Sequence, residues 1–590
     1  MPSTQKAITL KADIAIIGGS TGGVAAALAA LEQGCGVILT EATDWLGGQL
    51  TSQGVSALDE HKYIETFGGT RTYNALRGGI RKHYQTMYGL AATMSDGSTP
   101  LNPGNGWVSR LCFEPKVAVD VIDAMLAPFI EAGKLQVLIH CEPVSATQQD
   151  GYIQSITLKA IDGQMYDVHA RYVLDATDLG DVLPLTQTAY VTGAEAQADT
   201  GEPHAKAGEA VPNEVQGFTY GFVLEHRPHK PRETHTIPKP ANYERFKQQY
   251  SFTLEAHSGN PKTFSMFAGN LSFWRYRRLI DANLLQSSEY PNDLALINWA
   301  SNDYYAENLI DQPKQEQARI LQDAKELSLG FLYWLQTEAP RDEGGFGYPE
   351  LKLRPDVMAS DDGLSKAPYI RESRRIVARE RVLEQHITPS SSQTVRAKHY
   401  ANSVGIGWYA IDLHPCVGNP HASTYAPTLP FQLPLGALIP KDTHNLLAAC
   451  KNIGTTHLTN GAYRVHPCEW AVGEAAGHLA AFCCRTGYKP AHVWANDDLT
   501  RQFQAQLVKA GVPLAWTVDV PQEHLLFAGL QRLAVLGGVR EEGLELLPHL
   551  AVDRQLKEVV NAAYQKLTGK LLTTVTSLED VARALIKSET

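Results

Sequence analysis

The sequence predicts an α/β fold: a Rossmann-like FAD-binding domain with a three-stranded β-meander, an inserted mixed α+β substrate domain, and a helical C-terminal tail. Three observations predict it. Asp13–Gly48 reads as a strand, a glycine turn, a helix and a second strand ending in an acid, which is the dinucleotide-binding unit. Asp150-Gly151 and Asp162-Gly163 separate three short alternating runs, a strong hairpin signal. A long small-residue helix near Glu469, carrying Gly473-Glu474-Ala475-Ala476-Gly477, brings the chain back to the first unit.

Within the first unit each residue type has a physical task. Ile14–Ile17 is a buried-strand run, and Gly18 permits the tight turn that follows. Gly19, Ser20, Thr21 and Gly22 let the backbone approach a pyrophosphate, Gly23 lets the helix pack on the sheet, and the helix start offers free N–H groups. Glu41, with Ala42 beside it, is placed to accept hydrogen bonds from an adenosine ribose. Ser20 stands where the fingerprint has its second glycine. The pair Gly47-Gly48, followed by Gln49, suits a backbone running along a pyrophosphate and ribityl chain, which moves the expected cofactor from NAD to FAD.

A helix is expected over Pro115–Ala132 and a strand over Leu135–His140. The meander strands are expected at Val144–Thr147, Ile153–Ala160 and Gln164–Ala170, with a separate return strand, Tyr172–Asp175, behind them. Val144, and Ala176-Thr177 at the end of the return strand, are expected beside the adenosine. Aromatic residues crowd 217–400, and a helix is expected over Gln315–Thr337. The expected division is 1–216 and 401–488 for the FAD-binding domain, 217–400 for the substrate or cap domain, and 489–590 for the helical appendage.

Composition sets the bounds. The chain has 590 residues, 44% hydrophobic and 19% charged, so two or three soluble domains are expected. A net charge of −11 argues against nucleic acid. No apolar run is long enough to span a bilayer, and Met1–Lys11 has no secretory leader, so a cytoplasmic location without a membrane partner is expected. The eight cysteines contain no C-x-x-C pair, which points to free thiols and to no metal site. No second glycine fingerprint suggests an NAD(P)H domain.

The chain resembles the FAD-dependent oxidoreductases often labelled xanthan lyase-like, within the glutathione-reductase/succinate-dehydrogenase-like superfamily. The resemblance covers about residues 10–485. It rests on Ile17–Gly23, Leu46–Thr51, Ile297-Asn298-Trp299 with Asn302-Asp303-Tyr304, and Tyr369–Ile376. It rests further on Ile411–His414, Leu435–Pro440, Arg464-Val465 and Gly473–Gly477. It implies the fold and FAD, and no single substrate. Three positions depart from the pattern: Ser20, Glu474 where relatives commonly carry Gln, and Cys450-Lys451 where many flavoproteins have Gly and an acid. The tail resembles one degenerate S-layer homology repeat, read as a packing or homo-oligomer-forming appendage rather than a wall anchor.

Oxidising a C–H bond at a flavin needs a base for the departing proton and a clamp for substrate charge. Arg371, Arg374 and Arg375 would share one face of a helix and could clamp a carboxylate or form an interdomain salt-bridge patch. His414, His457 and His466 are the candidate bases, while Gly473 and Glu474 are expected near the flavin ring. The expected activity is hydride transfer from a small polar organic substrate, an alcohol or amine able to carry a carboxylate, to flavin N5. Oxygen or another electron acceptor would then reoxidise the flavin. The alternatives are a redox-neutral or biosynthetic flavoenzyme and a non-catalytic FAD-binding scaffold.

Overall fold

The computed structural model describes residues 7–90, 100–228, 234–254, 261–389, 395–420, 424–540, 543–572 and 575–589. The first unit is β1 (Ile8–Ile17), α1 (Thr21–Glu32) and β2 (Val37–Thr40). Helices α2 (Arg71–Met87) and α3 (Pro115–Glu131) precede β3 (Leu135–Leu138). The meander is β4 (Cys141–Gln149), β5 (Tyr152–Ala160) and β6 (Met165–Asp175). Asp150 and Gly151 both adopt positive φ, 51° and 75°, as the two-residue turn between β4 and β5 requires.

The sequence divides Gln164–Asp175 into two strands, but the structure makes it one. The reason is the neighbour: β6 pairs with β1 in parallel from Ile8↔Tyr166 to Ile17↔Asp175. Its first half also carries the antiparallel meander (Ile156↔Val168). The same neighbour extends β1 back to Ile8, well ahead of its apolar run.

A second core, running from Phe218 to Ile370, gathers the aromatic residues, with Trp274, Trp299, Phe331 and Trp334 among them. It draws on β7 (Phe222–His226), β9 (Leu294–Ile297), α4 (Lys314–Thr337) and β10 (Leu351–Leu353), while β8 (Arg278–Ile280), which pairs with β9, gives Leu279 and Ile280 to the first core. The four strands form a sheet in the order β8-β9-β7-β10. Residues 369–374 are extended rather than helical, because Thr219 and Tyr369 bridge and Arg375-Ile376 pairs with Val191 and Tyr190. An extended chain sends alternate side chains to opposite sides, so the expected single arginine face does not form.

The chain returns through β11 (Ser403–Gly407), β12 (Phe431–Pro434) and β13 (Leu446–Ala448), then α5 (His457–Tyr463) and α6 (His466–Thr486). Strand β13 joins the main sheet beside β6, whose order is otherwise β3-β2-β1-β6-β5-β4. The tail forms α7 (Asp497–Lys509), α8 (Phe527–Ala534), α9 (Arg554–Thr568) and α10 (Leu578–Glu589). Its Phe503, Leu530, Val560 and Leu585 belong to the same hydrophobic core as β1 and α1. Among the described residues no helix is long and apolar enough to cross a membrane.

Candidate active site

At the C-terminal ends of the parallel strands, backbone approaches backbone closely. A Cβ on Gly18 (φ 104°) would lie 2.4 Å from the Ala176 carbonyl oxygen, and one on Gly23 would lie 2.1 Å from that of Gly18. Ser20 has a clear role. Its φ/ψ of −60°/175° make it the N-cap of α1, and its hydroxyl accepts from the Gly23 amide at 3.1 Å. Removing that acceptor with Ser20→Ala is expected to cost about 1 kcal/mol, and Ser20→Gly only a few tenths. Denaturant titration of the two variants checks the order.

The second glycine pair docks on the first. The Gly47 amide donates to Gly19 at 2.7 Å, the Thr21 hydroxyl donates to Gly47 at 2.8 Å, and Gly47 and Gly48 both take positive φ. Glu41 is buried and accepts from the amides of Gly19 and Thr43, and burial pushes its carboxyl up to about 7. Thr177 donates to Asp175 through its amide and hydroxyl. Ala42 is exposed at the rim, and Val144 is exposed on β4.

Gly473 and Glu474 do other work than expected. A Cβ on Gly473 would lie 1.9 Å from the Gly22 oxygen, and one on Gly477 would lie 2.2 Å from that of Ala26. The small residues of α6 therefore seat it on α1. Glu474 accepts from the Thr72 hydroxyl of α2 at 2.8 Å, and burial raises its carboxyl to about 7. The acid of α6 that reaches the glycine loop is Glu469, in its first turn. It accepts from the Gly22 amide at 3.2 Å and from Gln49 Nε2 at 2.7 Å. Cys450 and Lys451 also face it, at 3.3 and 3.4 Å. These contacts account for the unusual Cys450-Lys451 pair.

The segment after Gly48 carries buried polar atoms without protein partners: Gln49 Oε1, both amide atoms of Gln53, and Ser56 Oγ. Buried polar groups are normally paired, so this row fits a long polar cofactor lying against it.

Next to that segment is a cavity of about 780 Å³. Its buried wall is formed by Asp59, Arg277, Asn298, Trp299, Arg371 and Arg464, with Tyr409, Asp412 and His414 half-buried and Gln248, Lys262 and Pro420 at the mouth. Of the predicted chemical residues, only Arg371 and His414 line it. His414 Nδ1 lies 2.6 Å from Asp303 Oδ2. Asp303 is fully buried, ion-paired to Arg371 at 2.9 Å, and accepts from the Thr219 hydroxyl. Burial alone would raise this carboxyl. The Arg371 guanidinium and the His414 imidazole outweigh burial and hold it below the usual range. An ionised Asp303 favours the proton of His414 on Nδ1, which leaves the lone pair on Nε2, 3.9 Å from Asp412 Oδ2. In the sequence Asp303 stands within a motif without a role of its own, and nothing there marks Arg277 or Asp59, which no local pattern connects.

The remaining candidates are placed elsewhere. His466 uses both ring nitrogens: Nδ1 accepts from the Asp59 amide at 3.0 Å and Nε2 donates to Val55 at 2.9 Å. Burial depresses it to about 4, so it is neutral. Arg374 binds the Leu179 carbonyl, Asp181 and Asp311. His457 is buried against Glu372 at 2.9 Å. Burial would raise Glu372, but His457 and Arg375 outweigh it and lower the carboxyl to about 2. A depressed acid stabilises the fold above its ordinary 4.5 and loses that contribution as pH falls through about 2. Glu372→Gln is expected to flatten that part of the stability–pH curve, as measured by urea unfolding at a series of pH values.

A family model described as FAD dependent oxidoreductase matches residues 13–507. No curated protein matches the chain. Among solved structures, L-proline dehydrogenase from P. horikoshii is 14% identical, with a TM-score of 0.16, over 32% of this chain and 25% of that one. The OxyS anhydrotetracycline hydroxylase from Streptomyces rimosus is 10% identical, with a TM-score of 0.28, over 63% and 55%. E. coli quinol fumarate reductase is 12% identical, with a TM-score of 0.30, over 99% and 87%. The chain thus spans less than two thirds of the first two of these structures.

Proposed function

The chain belongs to the FAD dependent oxidoreductase family, with FAD as its cofactor, and from that premise we propose that it oxidises an alcohol or amine in the cavity beside His414. The observation that carries this reading is the Asp303–His414 pair on the cavity wall, with His414 Nε2 3.9 Å from Asp412 Oδ2 on the far side of the ring. When bound, FAD supplies a hydride acceptor. The loop Gly18–Gly23, the turn Gly47-Gly48 and Glu41 would hold its phosphates and adenosine ribose, with Gln49 and Gln53 beside its polar chain.

The chain's own residues then manage the proton. His414 Nε2 takes it from the substrate O–H or N–H, and Asp303 stabilises the imidazolium that results. Arg371 is a positioning residue that keeps Asp303 ionised. Oxygen or another small acceptor completes the cycle. The tail acts as a packing appendage, a reading supported by its share of the main core.

The test is anaerobic titration of the yellow holoenzyme with alcohols, amines, hydroxy acids and amino acids while flavin absorbance is followed. At least one class is expected to bleach the flavin. If dithionite bleaches it and no organic reductant does, the protein is a scaffold or a redox-neutral enzyme. A colourless protein that refuses added FAD overturns the whole reading.

A further inference from the structure

Three buried guanidiniums line the cavity, and two of them are neutralised within the chain. Arg277 pairs with Asp59 at 3.0 Å and Arg371 with Asp303 at 2.9 Å. Arg464 differs. It is 3% exposed and makes no direct ion pair among the described residues, although Asp412 and Asp59 of the same cavity favour its charge from further off. Its Nη1 donates to the Tyr369 hydroxyl and its Nη2 to the Asp412 carbonyl, both at 2.9 Å, while its Nε is buried without a partner. A guanidinium has five N–H donors, so most remain for a ligand. Buried donors without direct partners are costly, and an anionic ligand would pair them.

The position of Arg464 indicates which ligand. It caps the C-terminal end of α5, just ahead of α6, and its carbonyl accepts from Gln49 Nε2 at 3.2 Å. Its bond to the Asp412 carbonyl ties it to the segment that carries His414. An anion held there lies between the cofactor-binding segment and the base.

We propose that Arg464 is the receptor for a carboxylate on the substrate, which deepens the reading above and rests on it. One guanidinium without a direct ion pair matches a single carboxylate, and the half-buried Asp412 lining the same cavity disfavours a second. A planar fork suits a carboxylate. The cavity of about 780 Å³, walled by Phe264, Tyr276, Trp299 and Tyr305, has room for a substrate larger than a three-carbon acid beside the flavin ring, which would take part of that volume. The substrate is therefore a bulky monocarboxylate bearing the hydroxyl or amine that His414 deprotonates.

The experiment uses oxidised holoenzyme and redox-inert probes, with binding read by calorimetry and by perturbation of the flavin spectrum. Sodium benzoate and cyclohexanecarboxylate are compared with their neutral counterparts benzamide and cyclohexanecarboxamide. At least one carboxylate is expected to bind about 10-fold or more tighter than its amide. Arg464→Lys is expected to weaken that carboxylate about 10-fold and Arg464→Gln about 100-fold, with the amide unchanged. His414→Gln should retain carboxylate binding, so the base and the receptor fail independently. Equal binding of acid and amide to the wild type overturns the proposal, even if the Arg464 variants do not fold. Unchanged carboxylate affinity in Arg464→Lys, with only the flavin reduction potential shifted, assigns Arg464 to the cofactor and also overturns it.

Discussion

Replacing His414 with alanine is expected to slow anaerobic flavin reduction by about 10²- to 10⁴-fold while FAD stays bound. The loss falls on the proton-transfer step, because His414 borders the cavity and its ring is held by Asp303, away from the glycine loop that would hold the cofactor. Asp303→Asn is the sharper variant. An amide can present its N–H to Nδ1, which moves the imidazole proton to Nε2 and removes the acceptor. A loss approaching that of the alanine variant is expected, again with FAD retained. Stopped-flow absorbance with the best reductant from the substrate panel gives both rates. Unchanged rates would remove the pair from the active site.

The second large effect lies far from any chemistry. Gly473→Val is expected to destabilise the protein by about 3–5 kcal/mol and to release FAD. The atom in the way is a backbone oxygen, that of Gly22, at 1.9 Å from the added Cβ, so no side-chain rotation relieves the clash. Helix α6 would have to lift from α1, and the second close approach at Gly477 and Ala26 would open with it. Because Gly22 belongs to the phosphate loop, the damage reaches the cofactor. Gly78→Ala is the control. That glycine is exposed within α2, an added Cβ there would meet no atom within 4 Å, and the change is expected to stabilise by about 0.5–1 kcal/mol. Thermal unfolding with release of flavin fluorescence separates the two outcomes.

How much could be read in advance follows from the range of each interaction. The strand, turn and helix of Ile14–Glu32 and the Asp-Gly turns depend on local backbone chemistry, and they are legible residue by residue. The continuity through Arg171 is not, because only the β1 ladder shows that Gln164–Asp175 contains a single strand. The arginines at 371, 374 and 375 have helical spacing, yet pairing with Thr219 and Val191 stretches the segment. Ser20 departs from the fingerprint in sequence and becomes an ordinary N-cap once the Gly23 amide is seen to meet its hydroxyl.

The sequence by itself determined the fold class and the dinucleotide unit, because glycine conformations, strand alternation and helix periodicity are properties of neighbouring residues. Tertiary structure alone decided which polar groups meet. His414 finds Asp303 across 111 positions, Glu469 finds Gly22 across 447, and Arg464 comes to line a cavity with no direct ion pair among the described residues. Such contacts are made by extended and capping segments that carry no period. The chemistry of a buried charge is set by what folding brings within a few ångströms of it.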